Sequence, residues 1–503
     1  MSADLFAQLL PLCLLVPFAA ALLAATVPPR WRSATGLIGS VLSAATSLAL
    51  VSLLPVYGPT THEIGDWSPP LGIRLHLDGW SAVLLLLTNL MSLPLAFYSR
   101  SFFHSPKVPV RAKEWFWPLW FMVWAALHGL FLSADLFNLY VALEIIGMGS
   151  VGLAVLSGKT AAYFAGLRYL LAALAGSLAF LMGVALLYAL HGQLDIHLLH
   201  DSLSGHPLES LALVLMVLGL MIKTALFPFH FWLPGAHSAA LPPVSALLSA
   251  LVVKASFFLL VRIWVQLYGD HVTFAAGQII GAFGAVAVVW GSYQALRQTR
   301  LKRMVAHSTV SQIGYLFLLF PLLGSGLTGE VASYAWTGAT YQVLAHGFAK
   351  AALFLAVGLI IIAVGNDEKD SLLNMVGRLP MTTFTLALAG ISLIGLPPSG
   401  GFIAKWMLLK ASFASGQWWW VPMILWGSFL TAGYVFMVLR IAFAPAPPDK
   451  PLRKVPPVRE ITALILAVMA VLIGFRAEEV MLLLGLDFPV HGSTWEGGMD
   501  TNE

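Results

Sequence analysis

About fourteen apolar stretches of bilayer-crossing length follow one another along the chain, and nothing else in the sequence limits its fold so much. They lie near 4–26, 36–55, 79–98, 116–133, 136–157, 164–190, 210–230, 241–267, 273–295, 304–323, 332–364, 381–412, 419–442 and 461–483. A helix needs roughly 20 apolar residues to cross the hydrocarbon core. Only 10% of the 503 residues are charged and 59% are hydrophobic, whereas a soluble domain carries about 25% charge. The chain lacks the polar surface to cover a water-soluble globule, which excludes a cytosolic enzyme and a disordered protein. Nucleic acid is not an expected partner, because 27 Lys+Arg against 23 Asp+Glu leave only +4 spread over the whole length. The single Cys13 allows neither an internal disulfide nor a thiolate metal site. The expected fold is an all-α polytopic membrane protein with about fourteen transmembrane helices.

The first stretch has no basic n-region, and its early charge is Asp4. A cleaved signal peptide has the opposite charge pattern, so residues 4–26 read as a retained span. Basic residues mark the cytoplasmic loops of membrane proteins. With the N-terminus outside, those loops hold Arg30, Arg32, Arg100, Lys107, Arg111, Lys113, Lys159, Arg168, Arg297, Arg300, Lys302, Arg303, Lys369, Arg378, Lys450, Arg453, Lys454 and Arg459. The opposite loops hold only Arg74, a split of 18 to 1. Fourteen spans with both termini outside, in a bacterial-type inner (plasma) membrane, follow from that alternation.

An ionisable group at mid-bilayer costs at least about 2.5–3.5 kcal/mol on insertion scales and marks function by default. Glu144 lies in span five, Lys223 in span seven, Lys254 in span eight, His346 and Lys350 in span eleven, and Lys405 in span twelve. His346 and Lys350 are four apart and share a helix face. Near helix ends, Lys410, Arg262, Arg440 and Arg476 are read as snorkelling to the headgroups. A buried ammonium is disfavoured by its apolar surroundings and favoured by a nearby carboxylate. Withdrawing the carboxylate turns such a lysine from proton holder to proton donor. Lysine suits this role because burial readily changes its protonation.

Two of these lysines sit beside helix breakers. Lys223 precedes Pro228 and Pro234, and Lys405 follows Pro397, Pro398, Gly400 and Gly401. Proline removes a backbone donor and clashes with the preceding turn, so helices seven and twelve are expected to be broken. Spans 4–8 and 9–13 are five helices each, with the broken, lysine-bearing helix fourth in both. Repetition of an odd number of spans inverts the second copy. The expected organisation is an N-terminal three-helix segment (1–113), two inverted repeats (114–268 and 269–443), and a C-terminal helix with tail (444–503). In span ten His307, Ser308, Ser311 and Gln312 lie toward the cytoplasmic end, either as a polar inlet to the second half-channel or as helix–helix hydrogen bonds.

The loop between spans six and seven carries His191, Asp195, His197, His200, Asp201 and His206. Its spacing matches no closed zinc pattern, and a solvated loop is expected. No glycine-rich nucleotide fingerprint or cysteine cluster occurs. No cofactor or metal in this chain, and no redox chemistry of its own, are therefore expected.

The run IKTALFPFHFWLPGAHSAALPPVSALLSALVVK, Ile222 to Lys254, resembles the signature of the antiporter-like membrane subunits. These occur in Mrp-type multisubunit cation/proton antiporters, respiratory complex I (NADH:quinone oxidoreductase) and membrane-bound hydrogenases. LFNLYVALE, ending at Glu144, LKRMVAHSTVSQIGY and AHGFAKAALFL are similar to the family's fifth-, tenth- and eleventh-helix motifs. The resemblance implies that Glu144 and Lys223 form a modulating ion pair. Lys254 would belong to a connecting hydrophilic axis, His346 to a polar position of the eleventh helix, and Lys405 to the exit. Lys350 and His307 complete the expected proton path. GDWSPPLGIRLHLDGW and the short stretch after the last span look most like the D-type component of Mrp antiporters. The implied function is proton translocation in a multisubunit complex, with protons and Na⁺ or K⁺ as cargo and other subunits and the bilayer as partners. A complex I or hydrogenase pumping subunit, or a proton-flux partner in inorganic-carbon uptake, is the alternative.

Overall fold

The computed structural model describes residues 3–323, 329–445 and 452–485. Lys450 of the charge alternation and the tail after residue 485 lie outside the described residues. Thirteen helices among the described residues are long and apolar enough to cross a membrane. They are α1 (Asp4–Thr26), α2 (Pro29–Tyr57), α3 (Gly79–Phe103), α4 (Val110–Leu132), α5 (Leu136–Ser157), α6 (Thr160–His191) and α7 (Pro207–Ala239). Then come α8 (Pro242–Leu267), α9 (Phe274–Arg297), α10 (Leu301–Leu323) and α11 (Glu330–Val364). The twelfth expected span, 381–412, consists of two shorter helices, α12a (Pro380–Ile394) and α12b (Gly400–Ala414). The last two are α13 (Trp420–Phe443) and α14 (Pro457–Phe475). The expected last stretch, 461–483, thus ends early, and a separate short helix, Ala477–Leu484, follows. The long stretch 332–364 is continuous as α11, whereas 381–412 is interrupted.

The one small sheet among the described residues joins α2 to α3. Its strands β1 (Thr60–Glu63) and β2 (Arg74–Leu77) pair antiparallel, with Thr60 opposite Leu77. At the centre of the bundle, α8 is buried over its entire apolar window and α10 over 94% of it, against 33% for α1 and α13. A helix that is apolar all round and buried all round is an inner helix. The peripheral helices present Phe18, Leu22, Trp426 and Phe429 outward, as a lipid-facing surface requires.

Helix α7 is helical from Pro207 to Thr224, breaks, and resumes at Leu233–Ala239. We call the parts α7a and α7b. Ala225 closes α7a with φ 57°, a left-handed conformation costly for an L-residue, and the matching closure of α12a is Gly395 at φ 87°. The indole of Trp232 donates to the Ile222 carbonyl at the end of α7a and stacks on Tyr169 at 4.2 Å. Where α6 and α7a cross, Gly176 and Gly219 bring backbone against backbone. A Cβ at Gly176 would sit 2.7 Å from the Gly219 oxygen. That close approach places Lys223, one turn further on, against α5 and α6.

Three sequence expectations change. Arg262 does not snorkel; it is 3% exposed and pairs with Asp78. Lys302, counted in a loop, is buried with its amine on the Ala240 carbonyl. Gln312 is not at the start of α10 but eleven residues in from Leu301, roughly 16 Å at 1.5 Å per residue.

Candidate functional site

Prolines create the site. In a helix the carbonyl of residue i accepts from the N–H of i+4, and proline has none. Pro397 and Pro398 therefore orphan the carbonyls of Leu393 and Ile394. Lys405 reaches back from α12b and donates to both at 2.8 Å. Its ammonium also lies 4.6 Å over the Tyr315 ring. In α8, residues Leu248–Val252 wind as a π turn, a distortion often found at functional positions. Lys254 follows at once and donates to the Ser249 carbonyl at 2.6 Å.

Lys223, in the last turn of α7a, lies 3.2 Å from Glu144 of α5 and donates to the Leu143 carbonyl at 3.2 Å. The Ser177 hydroxyl of α6 also donates to Glu144. Lys223 is 6% exposed and Glu144 22%, so the carboxylate forms the outer half of the pair. A cavity lined by Gly147, Lys223, Trp232, Val252 and Ser256 runs from Lys223 toward α8, with about 20 Å³ open to the centre of a water-sized sphere. One water needs roughly 10–15 Å³ by this measure.

Beyond it the polar contacts continue inward. Ser249 shares a 2.9 Å hydrogen bond with Thr309 of α10. The neighbouring Ser308 accepts from Lys350 of α11, whose amine also donates to the Val305 carbonyl at 3.1 Å. His346, one turn from Lys350, is 1% exposed and within electrostatic reach of Lys254, Lys350 and His237. Gln342, a further turn along, donates to Gln312 at 3.0 Å. Gln312 donates in turn to the Leu393 carbonyl at 3.4 Å, the oxygen that Lys405 also holds.

Glu144, Lys223, Lys254, Lys350 and Lys405 thus belong to a row of buried polar groups with a small cavity between Lys223 and α8, and His346 stands in that row on the Lys350 face of α11 without a hydrogen bond of its own among the described residues. His307 is not joined to it by a hydrogen bond among the described residues; its charged neighbours are His230 and Arg303. Ser311 bonds Ser292 of α9 at 2.7 Å, a helix–helix tie. Sequence reading missed Ser177, His237 and Gln342. Ser177 and Gln342 are uncharged residues of ordinary type. For His237 the signal was available, since it is an imidazole inside the conspicuous run Ile222 to Lys254.

A second charged cluster stands where β2 meets α3. Asp78 caps α3 by accepting from Ser81 N at 2.8 Å, and its other bonds come from Arg262 and Gln266 of α8. Burial works to raise the Asp78 carboxyl, but Arg262 and His76 hold it below the usual range. Burial pushes His76 down to about 4, against the pull of Asp78. In the histidine-bearing loop, Asp195 caps the helix Ile196–Ser202 and His191 lies 3.1 Å from Glu209. His200 bonds the Leu267 carbonyl at 3.0 Å.

Known proteins resemble this chain in sequence and fold. Residues 133–431 match the NADH:quinone oxidoreductase/Mrp antiporter transmembrane family. The chain is 34% identical over 469 residues to the N-type component of NADH-quinone oxidoreductase from Desulforudis audaxviator, covering 91% of this chain and 90% of that protein. It is 28% identical over 414 residues to the D-type component of the Na⁺/H⁺ antiporter from Bacillus subtilis, covering 82% and 80%. A chain of the Mrp complex from Dietzia sp. superposes with a TM-score of 0.87 at 25% identity, covering 96% of both. The protein belongs to the NADH:quinone oxidoreductase/Mrp antiporter family of multi-pass membrane subunits.

Proposed function

We propose that this chain translocates protons as one subunit of a multisubunit membrane complex. The observation that carries this is the Glu144–Lys223 pair, set at a helix break and at the outer end of a buried polar line that reaches Lys405. Movement of Glu144 away from Lys223 leaves a buried ammonium without its counter-charge and drives its proton inward. Water in the cavity beside Ser256 would hand that proton toward Lys254. Ser249, Thr309 and Ser308 supply hydroxyls on the way to Lys350 and His346, and Lys405 releases the proton at the far break. The relation of 114–268 to 269–443 as inverted repeats, and termini on the outer face of a bacterial inner membrane, belong to the same proposal.

Exchange against Na⁺ or K⁺, as in the D-type component of an Mrp antiporter, is the first reading of the driving partner. The GDWSPPLGI stretch and the fit to the Mrp complex support it. Redox drive from neighbouring subunits is the second, and the 34% identity to the N-type component of NADH-quinone oxidoreductase favours it. Everted vesicles carrying the complex, a pH-sensitive dye, and added Na⁺, K⁺ or NADH test both. Lys223→Ala is expected to insert and assemble normally and to abolish the dye response. A normal response in that variant would sink the mechanism, and the substrate that elicits the wild-type response identifies the drive.

A further inference from the structure

Two hydrogen-bonded rungs join α10 to α11 on either side of His346. In one, Lys350 donates to Ser308. In the other, Gln342 Nε2 donates to Gln312 Oε1 and to the Gln312 carbonyl, each at 3.0 Å. Gln342, His346 and Lys350 stand at i, i+4 and i+8 and share one face of α11, while Ser308 and Gln312 share one face of α10. His346 lies between the rungs. Neither of its ring nitrogens has a hydrogen-bond partner among the described residues. Buried polar groups are normally satisfied by protein or by ordered water, and here no protein group serves.

On the far side of the glutamine rung stands Lys405. From Gln342, one turn from His346, the hydrogen bonds run to Lys405 through two side-chain amides and the Leu393 carbonyl. Gln312 and Gln342 are 1% and 2% exposed. An amide donates through nitrogen and accepts through oxygen, but it neither gains nor loses a proton to become charged at physiological pH. The bonded rung therefore interrupts proton transfer, while the histidine before it and the lysine after it are both able to carry a proton.

We propose that the Gln312–Gln342 rung is a proton gate. Closed, as in this structure, it separates a proton held on His346 from Lys405. Open, with the bond between the amides broken, it lets a water bonded to the otherwise unpartnered ring of His346 reach Lys405. The step is proton transfer alone. An imidazolium N–H bond breaks, the bridging water takes that proton and gives another to the free amine of Lys405, and no electrons are exchanged. The gate rests on the proton-translocation proposal above.

The test uses the native complex in everted vesicles with an imposed pH gradient and no driving substrate. Wild type is expected to hold the gradient. Gln342→Ala, Gln312→Ala and the shortened amide Gln342→Asn are expected to dissipate it about tenfold faster, the change set by roughly 1.4 kcal/mol of barrier. Adding Lys405→Ala to Gln342→Ala is expected to restore tightness, because the leak runs through that amine. Tight vesicles from every assembled glutamine variant, or a leak that survives Lys405→Ala, overturn the gate. So does failure of all three to assemble, which would make the rung a structural tie. Driven transport by Lys405→Ala alone separates the two levels. Normal transport there removes the translocation proposal itself. Lost transport there, with tight glutamine variants, removes only the gate.

Discussion

Glu144 Oε1 and Lys223 Nζ lie 3.2 Å apart, and the two ends of this ion pair differ in environment. Lys223 is enclosed by α5, α6 and the break in α7, with its methylene stem against Gly176 and its amine near Gly147. Glu144 keeps an open side. The carboxylate is the member of the pair that a neighbouring subunit or a change at the surface can reach first.

Ser177 holds that carboxylate in place by donating to it. A hydrogen bond to a charged group contributes about 1.5–3 kcal/mol. Ser177→Ala is expected to slow transport roughly tenfold or more without lowering the amount of assembled complex, and Ser177→Thr is expected to retain most of the rate. Initial rates of dye response in everted vesicles, normalised to complex content, check this.

Breaking a buried ion pair on one side leaves an uncompensated charge and costs about 3–5 kcal/mol, whereas apolar replacement of both partners is often neutral. Arg262→Met and Asp78→Leu are each expected to reduce the thermal stability of the detergent-solubilised complex. The double variant is expected to recover most of the loss, less the cap that Asp78 provides to Ser81. Equal losses in the single and double variants would show that the pair is not the stabilising unit.

Acid is expected to loosen the β1–β2 hairpin. His76 faces Asp78, Arg262, His197 and Arg74, and its folded value of about 4 lies below its ordinary 6.5. The folded state therefore binds fewer protons than the open state between these values, and stability falls as pH drops through that window. Asp78, also held low, adds its loss only in stronger acid. Amide protection factors over residues 60–77 should decrease from pH 6.5 toward 4 in wild type and stay flat in His76→Phe.

His128 is expected to matter for stability and not for transport. Pro17 cannot bond the Cys13 carbonyl four residues before it, and His128 Nδ1 fills that place at 2.8 Å. The Trp124 indole donates to His128 Nε2 at 2.9 Å, so Nε2 accepts and the ring is the neutral Nδ1–H form. His128→Phe should lower thermal stability by about 1–3 kcal/mol, as expected for an unsatisfied buried carbonyl, and leave the specific transport rate within twofold.

Much of this molecule is written locally. Apolar runs set the spans because crossing a bilayer depends on length and hydropathy, which neighbouring residues supply. The prolines at 397 and 398 set the break in α12, because the missing donor and the orphaned carbonyl are only four residues apart. The buried lysines, Glu144 and His346 announce themselves, since a charge in an apolar run has to be accommodated somewhere. What a local rule cannot supply is the partner. Arg262 finds Asp78 across 184 positions, so its place at a helix end suggested the surface and packing put it inside. Lys302 finds the Ala240 carbonyl across 62 positions, and Gln342 finds Gln312 across 30. Sequence by itself determined that the chain is a bundle of membrane helices with costly polar groups to satisfy. Only the tertiary structure decided which group satisfies which, because that depends on which helix faces meet, and contacts between distant segments leave no period in the sequence.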